Sequence, residues 1–175
     1  MKENNPLQTL MDEHDLICST EDIIKSLNGT WVENPDLYTE RVNSLLIFFK
    51  EYSDLFHHRK EEEILFRELR DHPDFLLNDI LTELEEHHES FRETVLELDD
   101  AIENSEYEKV QSLFAGYLND LLDHIAVEND ELFSMAESVF TEDELERMYF
   151  LFQDLEMDLG QDRKRELEES LKALV

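Results

Sequence analysis

The residues of this chain that are best suited to chemistry are histidines followed four positions later by a glutamate. Three such pairs occur, and they are His57–Glu61, His58–Glu62 and His124–Glu128. Residues four apart share one face of an α-helix, so an imidazole nitrogen and a carboxylate oxygen can reach the same metal ion. Imidazole and carboxylate donors without a thiolate suit iron, manganese or zinc. The spacing predicts a metal site if the pairs face the protein interior.

Two of the three pairs are neighbours, and the apolar residues around them indicate which pair points inwards. His58 and Glu62 continue a stripe that starts at Leu55 and recurs at steps of three and four, as core positions do. His57 and Glu61 are rotated by about 100°, the angle that each residue adds to an α-helix. The sequence therefore favours His58 and Glu62 as ligands, with the neighbouring pair expected nearer solvent and kept as the alternative.

Three other predicted helices each supply an inward histidine. His124 and Glu128 lie in the apolar stripe of the fourth helix, and His14 continues that of the first. On the third helix the stripe favours His88, with His87 at its edge as the alternative. Buried carboxylates cost several kcal/mol each unless they are neutralised, so this grouping predicts bound cations. The predicted ligands are His14, His58, Glu62, His88, His124 and Glu128.

Six protein ligands are too many for one tetrahedral zinc ion. They fit two metal ions bridged by carboxylates, and the donor types favour iron, with manganese as the next choice. The sequence therefore predicts a dinuclear centre inside a helical protein.

Few, long helices must position these residues. The chain has 175 residues with only 3 Gly and 3 Pro, and this scarcity of turn residues argues against many short strands. Periodicity predicts helices at about 6–27, 36–70, 74–103, 106–138, 141–160 and 162–174, the fifth opened by a capping box at Thr141. The expected fold is all-α: an up-down-up-down four-helix bundle over 1–140, with a two-helix extension at 141–175 packed on the same domain.

The charge of the chain excludes several classes of partner. It has 46 acidic and 15 basic residues, a formal net charge of −31, so nucleic acid and anionic membranes would be repelled. The first residues lack the apolar core of a signal peptide and no apolar run is long enough to span a membrane, so a cytoplasmic location is expected by default. A single cysteine, Cys18, excludes an internal disulfide framework and a cysteine-based metal motif.

Four segments of the chain resemble the hemerythrin-like (HHE cation-binding) family. They are LMDEHDLI around His14, LFHHRKEEEILF around His58, LEEHHESFR around His88 and HIAVENDELFSMAE around His124. They occur in the family's order and span about residues 7–138. The resemblance implies two iron ions in an Fe–O–Fe type centre, with manganese or zinc as alternatives. It also implies that the four histidines are terminal ligands and that Glu62 and Glu128 bridge the ions.

Two departures from oxygen-carrying members of that family bear on function. Such members have a second histidine one turn before the third-helix ligand, and Leu84 or Glu83 stands there in this chain, depending on which histidine is the ligand. Their last carboxylate follows the fourth-helix histidine by five residues, where this chain has Asn129. Both differences favour sensing or reactivity over reversible oxygen transport.

Three functions follow from these expectations. The first is a non-haem di-iron protein that binds or senses O2 or a related small ligand such as NO or peroxide, with enzymatic activity left open. The second is an iron or redox protein linked to iron homeostasis or iron–sulfur repair, which would need a redox protein partner. The third is an acidic helical adaptor in which the metal only stabilises the fold.

Overall fold

The computed structural model describes residues 4–174, which form an all-α bundle with no strand in that range. Its α-helices are α1 (Pro6–Cys18), α2 (Thr20–Leu27), α3 (Pro35–Ile47), α4 (Phe66–Asp71), α5 (Asn78–Glu103), α6 (Tyr107–Val127), α7 (Phe133–Val139), α8 (Glu142–Leu159) and α9 (Gln161–Lys172). Three π-helical segments, Phe48–His58, Glu61–Leu65 and Glu128–Leu132, and a 3-10 turn at Thr30–Val32 complete it. Across residues 4–174, no helix combines the length and apolar character needed to cross a membrane.

Asparagine followed by proline starts two of the bundle helices. The side chain of Asn5 accepts a hydrogen bond from the backbone of Leu7 at 2.9 Å, and Asn34 does the same for Leu37 at 3.1 Å. Proline follows each cap, where its missing N–H costs no hydrogen bond. These local signals set where α1 and α3 begin.

The predicted long helices are present, but the first and the third depart from their predicted bounds. The first helix is broken at Ser19, so that α1 and α2 follow one another. The third begins at Asn78 rather than near residue 74, because residues 72–77 form a turn that buries Phe75. The backbone N–H of Phe75 donates to the carbonyl of His72 at 3.1 Å in this turn. Helix–helix contacts such as α3 with α5 and α5 with α6 are compatible with the expected up-down-up-down order.

π-helical turns interrupt both helices that carry the histidine–glutamate pairs. In a π-helix the hydrogen bonds span five residues instead of four, so each turn holds more residues and the angle between successive side chains is smaller. The α-helical rule therefore misplaces side chains in these segments. Leu55, which that rule puts in the core, is 41% exposed.

The apolar core is divided into two clusters, and polar residues lie between them. His88 follows Leu84 of one cluster and precedes Phe91 of the other. His14 likewise stands between Leu10 and Ile17, which belong to the two different clusters. The bundle thus has a polar layer across its middle, closed by apolar side chains on both sides.

Helices α8 and α9 pack on the bundle and contribute to both clusters. Phe152 of α8 belongs to the cluster that holds Leu10, and Leu167 of α9 belongs to the one that holds Phe91. The predicted capping box is confirmed: the Thr141 backbone N–H donates to Glu144 at 2.8 Å, and the Glu144 backbone N–H donates to the Thr141 hydroxyl at 3.4 Å. The extension therefore starts at a well-defined cap and covers one side of the bundle.

We predict that α8 unfolds together with the bundle as one domain. Phe152 is fully buried, so Phe152→Ala should lower the free energy of unfolding by about 3–5 kcal/mol. Trp31 packs against the other cluster, so its fluorescence and far-UV circular dichroism should report the same shifted transition. Phe150→Ala, on the same helix at a 53% exposed position, should change stability by less than about 0.5 kcal/mol. Two separate transitions would show that the extension is an independent unit.

Candidate metal centre

Five histidines and two glutamates meet in the polar layer. They form two overlapping groups: His58, Glu61, His88 and His124 in the first, and His14, His57, Glu61 and Glu128 in the second. Within each group the candidate ligand atoms all lie within 4.8 Å of one another. Every member is buried, and Glu61 belongs to both groups. The arrangement offers two adjacent positions for a cation.

Glu61 directs one carboxylate oxygen to each group. Its Oε1 lies 3.5 Å from Nε2 of His57 and 3.8 Å from Nε2 of His14. Its Oε2 lies 3.5 Å from Nε2 of His88. A carboxylate held in this way can bind one ion through each oxygen.

Glu128 divides its oxygens in the same way. Its Oε2 lies 3.2 Å from Nε2 of His14, and its Oε1 lies 3.2 Å from Nε2 of His124. These separations permit charge attraction, but the atoms are not aligned for hydrogen bonds. Neither oxygen of Glu128 or Glu61 has a hydrogen-bond donor among the residues that the structure describes. Buried carboxylates without donors are costly, and cations would compensate them.

The Nδ1 atom of each clustered histidine contacts a side chain outside the cluster. These contacts are His14–Asn129 at 2.9 Å, His57–Glu13 at 3.0 Å, His58–Asp54 at 3.3 Å, His88–Glu62 at 2.8 Å and His124–His87 at 3.3 Å. Four of the five partners present an acceptor oxygen, so the proton sits on Nδ1 and the Nε2 lone pair faces the cluster. This is the tautomer that a metal-binding imidazole needs.

The Nε2 atoms of His88 and His124 lie 3.1 Å apart. Because Glu62 accepts the Nδ1 proton of His88, Nε2 of His88 presents a lone pair towards His124. A proton or a cation between the two nitrogens removes the repulsion that two lone pairs would cause. The contact therefore requires either a proton on Nε2 of His124 or a cation bound by both nitrogens.

Burial sets the charge of the imidazoles. It lowers the pKa of His57 to about 4 and holds the pKa of His58 well below its usual value. Burial lowers the pKa of His88 as well. For His14 burial also opposes the charged form, but the contact with Glu128 outweighs it and raises the pKa. Most of the cluster is therefore neutral imidazole, the form that binds metal ions.

The two central carboxylates have opposite pKa shifts. Burial, followed by the charges of Glu128 and Glu13, raises the pKa of Glu61 well above its usual value. Burial also opposes charge on Glu128, but His124 and His14 outweigh it and hold its pKa well below the usual value. Two close, buried carboxylates cannot both ionise at low cost unless cations compensate their charge.

The structure corrects the predicted orientation of one pair. Glu62 does not enter either group: it is partly exposed and accepts hydrogen bonds from His88 at 2.8 Å and from Arg92 at 2.8 Å. The expectation that His57 and Glu61 lie nearer solvent is wrong, since both are buried in the cluster. The π-helical turns rotate both His57 and His58 inwards and bring Glu61, not Glu62, to the centre.

The structure brings the other five predicted ligands together. These are His14, His58, His88, His124 and Glu128. Of the alternatives on the third predicted helix, His88 joins the cluster and His87, which is partly exposed, contacts it only through His124. His57 and Glu61 form one of two adjacent histidine–glutamate pairs in the sequence. Regular α-helical geometry could not show that this pair faces the interior. No sequence signal identified the outer partners Glu13 and Asp54.

Aromatic rings shield the cluster from solvent. The Phe133 ring stacks on His14 with centroids 5.7 Å apart, and the Phe66 ring stacks on His88 at 5.9 Å. The Phe91 ring meets His124 edge-on at 5.2 Å. A cavity of about 220 Å³, lined mainly by apolar residues such as Phe91 and Tyr117, extends to His58. A small molecule could therefore lie close to the first group.

A family model matches most of the chain. The hemerythrin HHE cation-binding domain matches residues 5–136, which contain every member of both groups. The match ends before α8 and α9. Comparison with curated proteins and with solved structures gives no match.

We predict that Glu61→Gln stabilises the metal-free protein while lowering its capacity for metal. Glutamine does not ionise and its amide can donate to Glu128, so the free energy of unfolding should rise by about 1–3 kcal/mol. Loss of a carboxylate oxygen from the residue shared by both groups should lower the amount of metal bound. Urea unfolding and metal analysis measure the two effects.

Glu62→Gln is the matched control for this variant. It keeps an acceptor for His88 but loses the ion pair with Arg92, so we expect no gain in stability and a smaller loss of metal than in Glu61→Gln. If Glu62→Gln lost metal while Glu61→Gln kept it, the assignment of the inward carboxylate would be refuted.

Proposed function

The chain belongs to the hemerythrin HHE cation-binding family, and we propose that it holds two iron ions with which it binds or senses a small ligand such as O2 or NO. One observation carries this proposal. Two buried carboxylates each direct one oxygen to a group of three histidines and the other oxygen to a group of two. That division is what two bridged ions require.

In this proposal three imidazoles would hold the first ion. They belong to His58, His88 and His124, and the carboxylates of Glu61 and Glu128 would complete the donor set. The stacked rings of His58 and His88, 3.9 Å apart, leave little freedom for either side chain. Packing therefore holds this half in one arrangement.

The second ion would have two imidazoles, from His14 and His57, with the remaining oxygens of Glu61 and Glu128. This half has one histidine fewer than the first. Two histidines with carboxylates and open positions are typical of non-haem iron sites that react with oxygen. This ion therefore has the more open coordination, whereas the apolar cavity reaches His58 at the other ion.

The choice of iron rests on donor chemistry and on the family. Imidazole-rich sites without thiolate suit iron, and zinc prefers four ligands in a single tetrahedral site. When bound, iron supplies the reversible change of oxidation state that O2 or NO chemistry uses. The chain itself orients the imidazoles through their Nδ1 partners and excludes bulk water with Phe66, Phe91 and Phe133.

Metal analysis combined with optical spectroscopy tests the proposal. Protein reconstituted with ferrous iron under anaerobic conditions should contain two iron ions per chain. Visible absorption bands should then change when NO or O2 is added. A protein that binds only zinc, or that folds stably and binds no metal, would contradict the proposed function.

Single histidine variants test which residues hold the ions. His57→Ala and His58→Ala should each lose at least one of the two ions, because both imidazoles are buried against the carboxylates. His72→Ala should keep both, since His72 lies in a turn against Phe140 with ring centroids 5.3 Å apart. Iron content of His57→Ala equal to that of His72→Ala would exclude His57 as a ligand.

A further inference from the structure

A network of four charged residues lies next to the two-histidine group, outside the metal cluster. Lys60 is fully buried, and its ammonium group contacts the carboxylates of Glu13 and Glu156. Lys164 contacts the same two carboxylates, at 2.7 Å and 2.5 Å. Two lysines thus alternate with two glutamates, and their formal charges cancel.

Glu13 joins this network to the cluster. Its Oε1 accepts hydrogen bonds from the ammonium groups of both lysines, while its Oε2 lies 3.0 Å from Nδ1 of His57. The lysines therefore act on the position and charge of the group that orients His57. Partners of this kind typically change metal affinity by about 10- to 100-fold when they are lost.

The network connects the segment that the family model matches with the two helices that follow it. Glu13 and Lys60 lie within residues 5–136, the segment that the family model matches. Glu156 belongs to α8 and Lys164 to α9, which follow that segment. Lys60 also lies 5.9 Å from the ring centroid of Phe152, so α8 covers it. A buried ammonium group needs its partners, so the attachment of α8 and α9 and the position of Glu13 depend on each other.

We propose that the packing of α8 and α9 on the bundle is coupled to metal occupancy at the His14–His57 half of the centre. This inference rests on the proposed function. Glu13 and Lys164 transmit the coupling in both directions, because binding linkage is reciprocal: α9 positions His57 for the metal, and metal at His57 tightens α9. If the protein acts as a sensor, α8 and α9 are the elements whose packing changes with metal occupancy.

A purely structural role of the network makes a different prediction. If the lysines only fasten α9 to the bundle, removing Lys164 lowers the stability of the protein and leaves metal affinity as it was. If they position Glu13, metal affinity falls at the second ion and the first ion is retained.

Hydrogen exchange of the unmodified protein is the first test. Amide exchange in α8 and α9 is compared before and after anaerobic addition of ferrous iron. We expect iron to slow exchange in α9 by about 10-fold, within the ordinary range of coupling between sites. This measurement needs no variant, so it does not depend on whether a substituted protein folds.

Lys164→Met and Lys172→Met form the matched pair for the second test. Both lysines lie on α9, but Lys172 is exposed and is not an ion-pair partner of Glu13 or Glu156. Titration with ferrous iron should show the second ion bound about 10-fold or more weakly by Lys164→Met and unchanged in Lys172→Met. Adding Lys164→Met to Glu13→Gln should weaken binding no further, because the lysine acts through that carboxylate.

The outcomes separate this inference from the proposed function. If the protein binds two ions, but α9 exchanges at the same rate with and without iron and Lys164→Met binds both as tightly as Lys172→Met, the coupling is refuted and the proposed function stands. If the unmodified protein binds no iron, both are refuted.

Discussion

Glu61 and Glu128 place four carboxylate oxygens in the interior of the bundle, where no donor in the described chain reaches them. Burial of such groups opposes folding by several kcal/mol unless something positive compensates. The neighbouring imidazoles cannot all do so, since burial keeps most of them neutral. The surrounding structure is organised around this unfavourable charge, and we propose that bound cations compensate it.

On both flanks of the cluster, the outer carboxylates pair with cationic side chains. On one side Arg92 pairs with Asp54 and Glu62, which hold the Nδ1 atoms of His58 and His88. On the other side, Lys60 and Lys164 pair with Glu13, whose carboxylate contacts Nδ1 of His57. These carboxylates orient imidazoles, and their cationic partners offset part or all of their negative charge. The Nε2 atoms of these histidines are thus directed inwards by side chains that lie outside the cluster.

The π-helical turns contribute what a regular α-helix could not. Regular geometry would bring only one of two adjacent histidines into the core, whereas His57 and His58 are both buried and serve different groups. The apolar clusters on either side of the polar layer hold this less favourable helix geometry in place. The same packing stacks phenylalanine rings against the imidazoles and limits the access of water.

The sequence by itself determined the all-α architecture, the capping box at Thr141, the family and the presence of a centre built from histidine and glutamate, because these depend on local spacing and composition. Tertiary structure decided that Glu61 rather than Glu62 enters the cluster and that His57 joins it. Helical periodicity assumes one constant angle per residue, and the π-helical turns change that angle. The outer partners Glu13 and Lys60 also emerged only from the fold, since their contacts join residues distant in sequence and leave no local pattern.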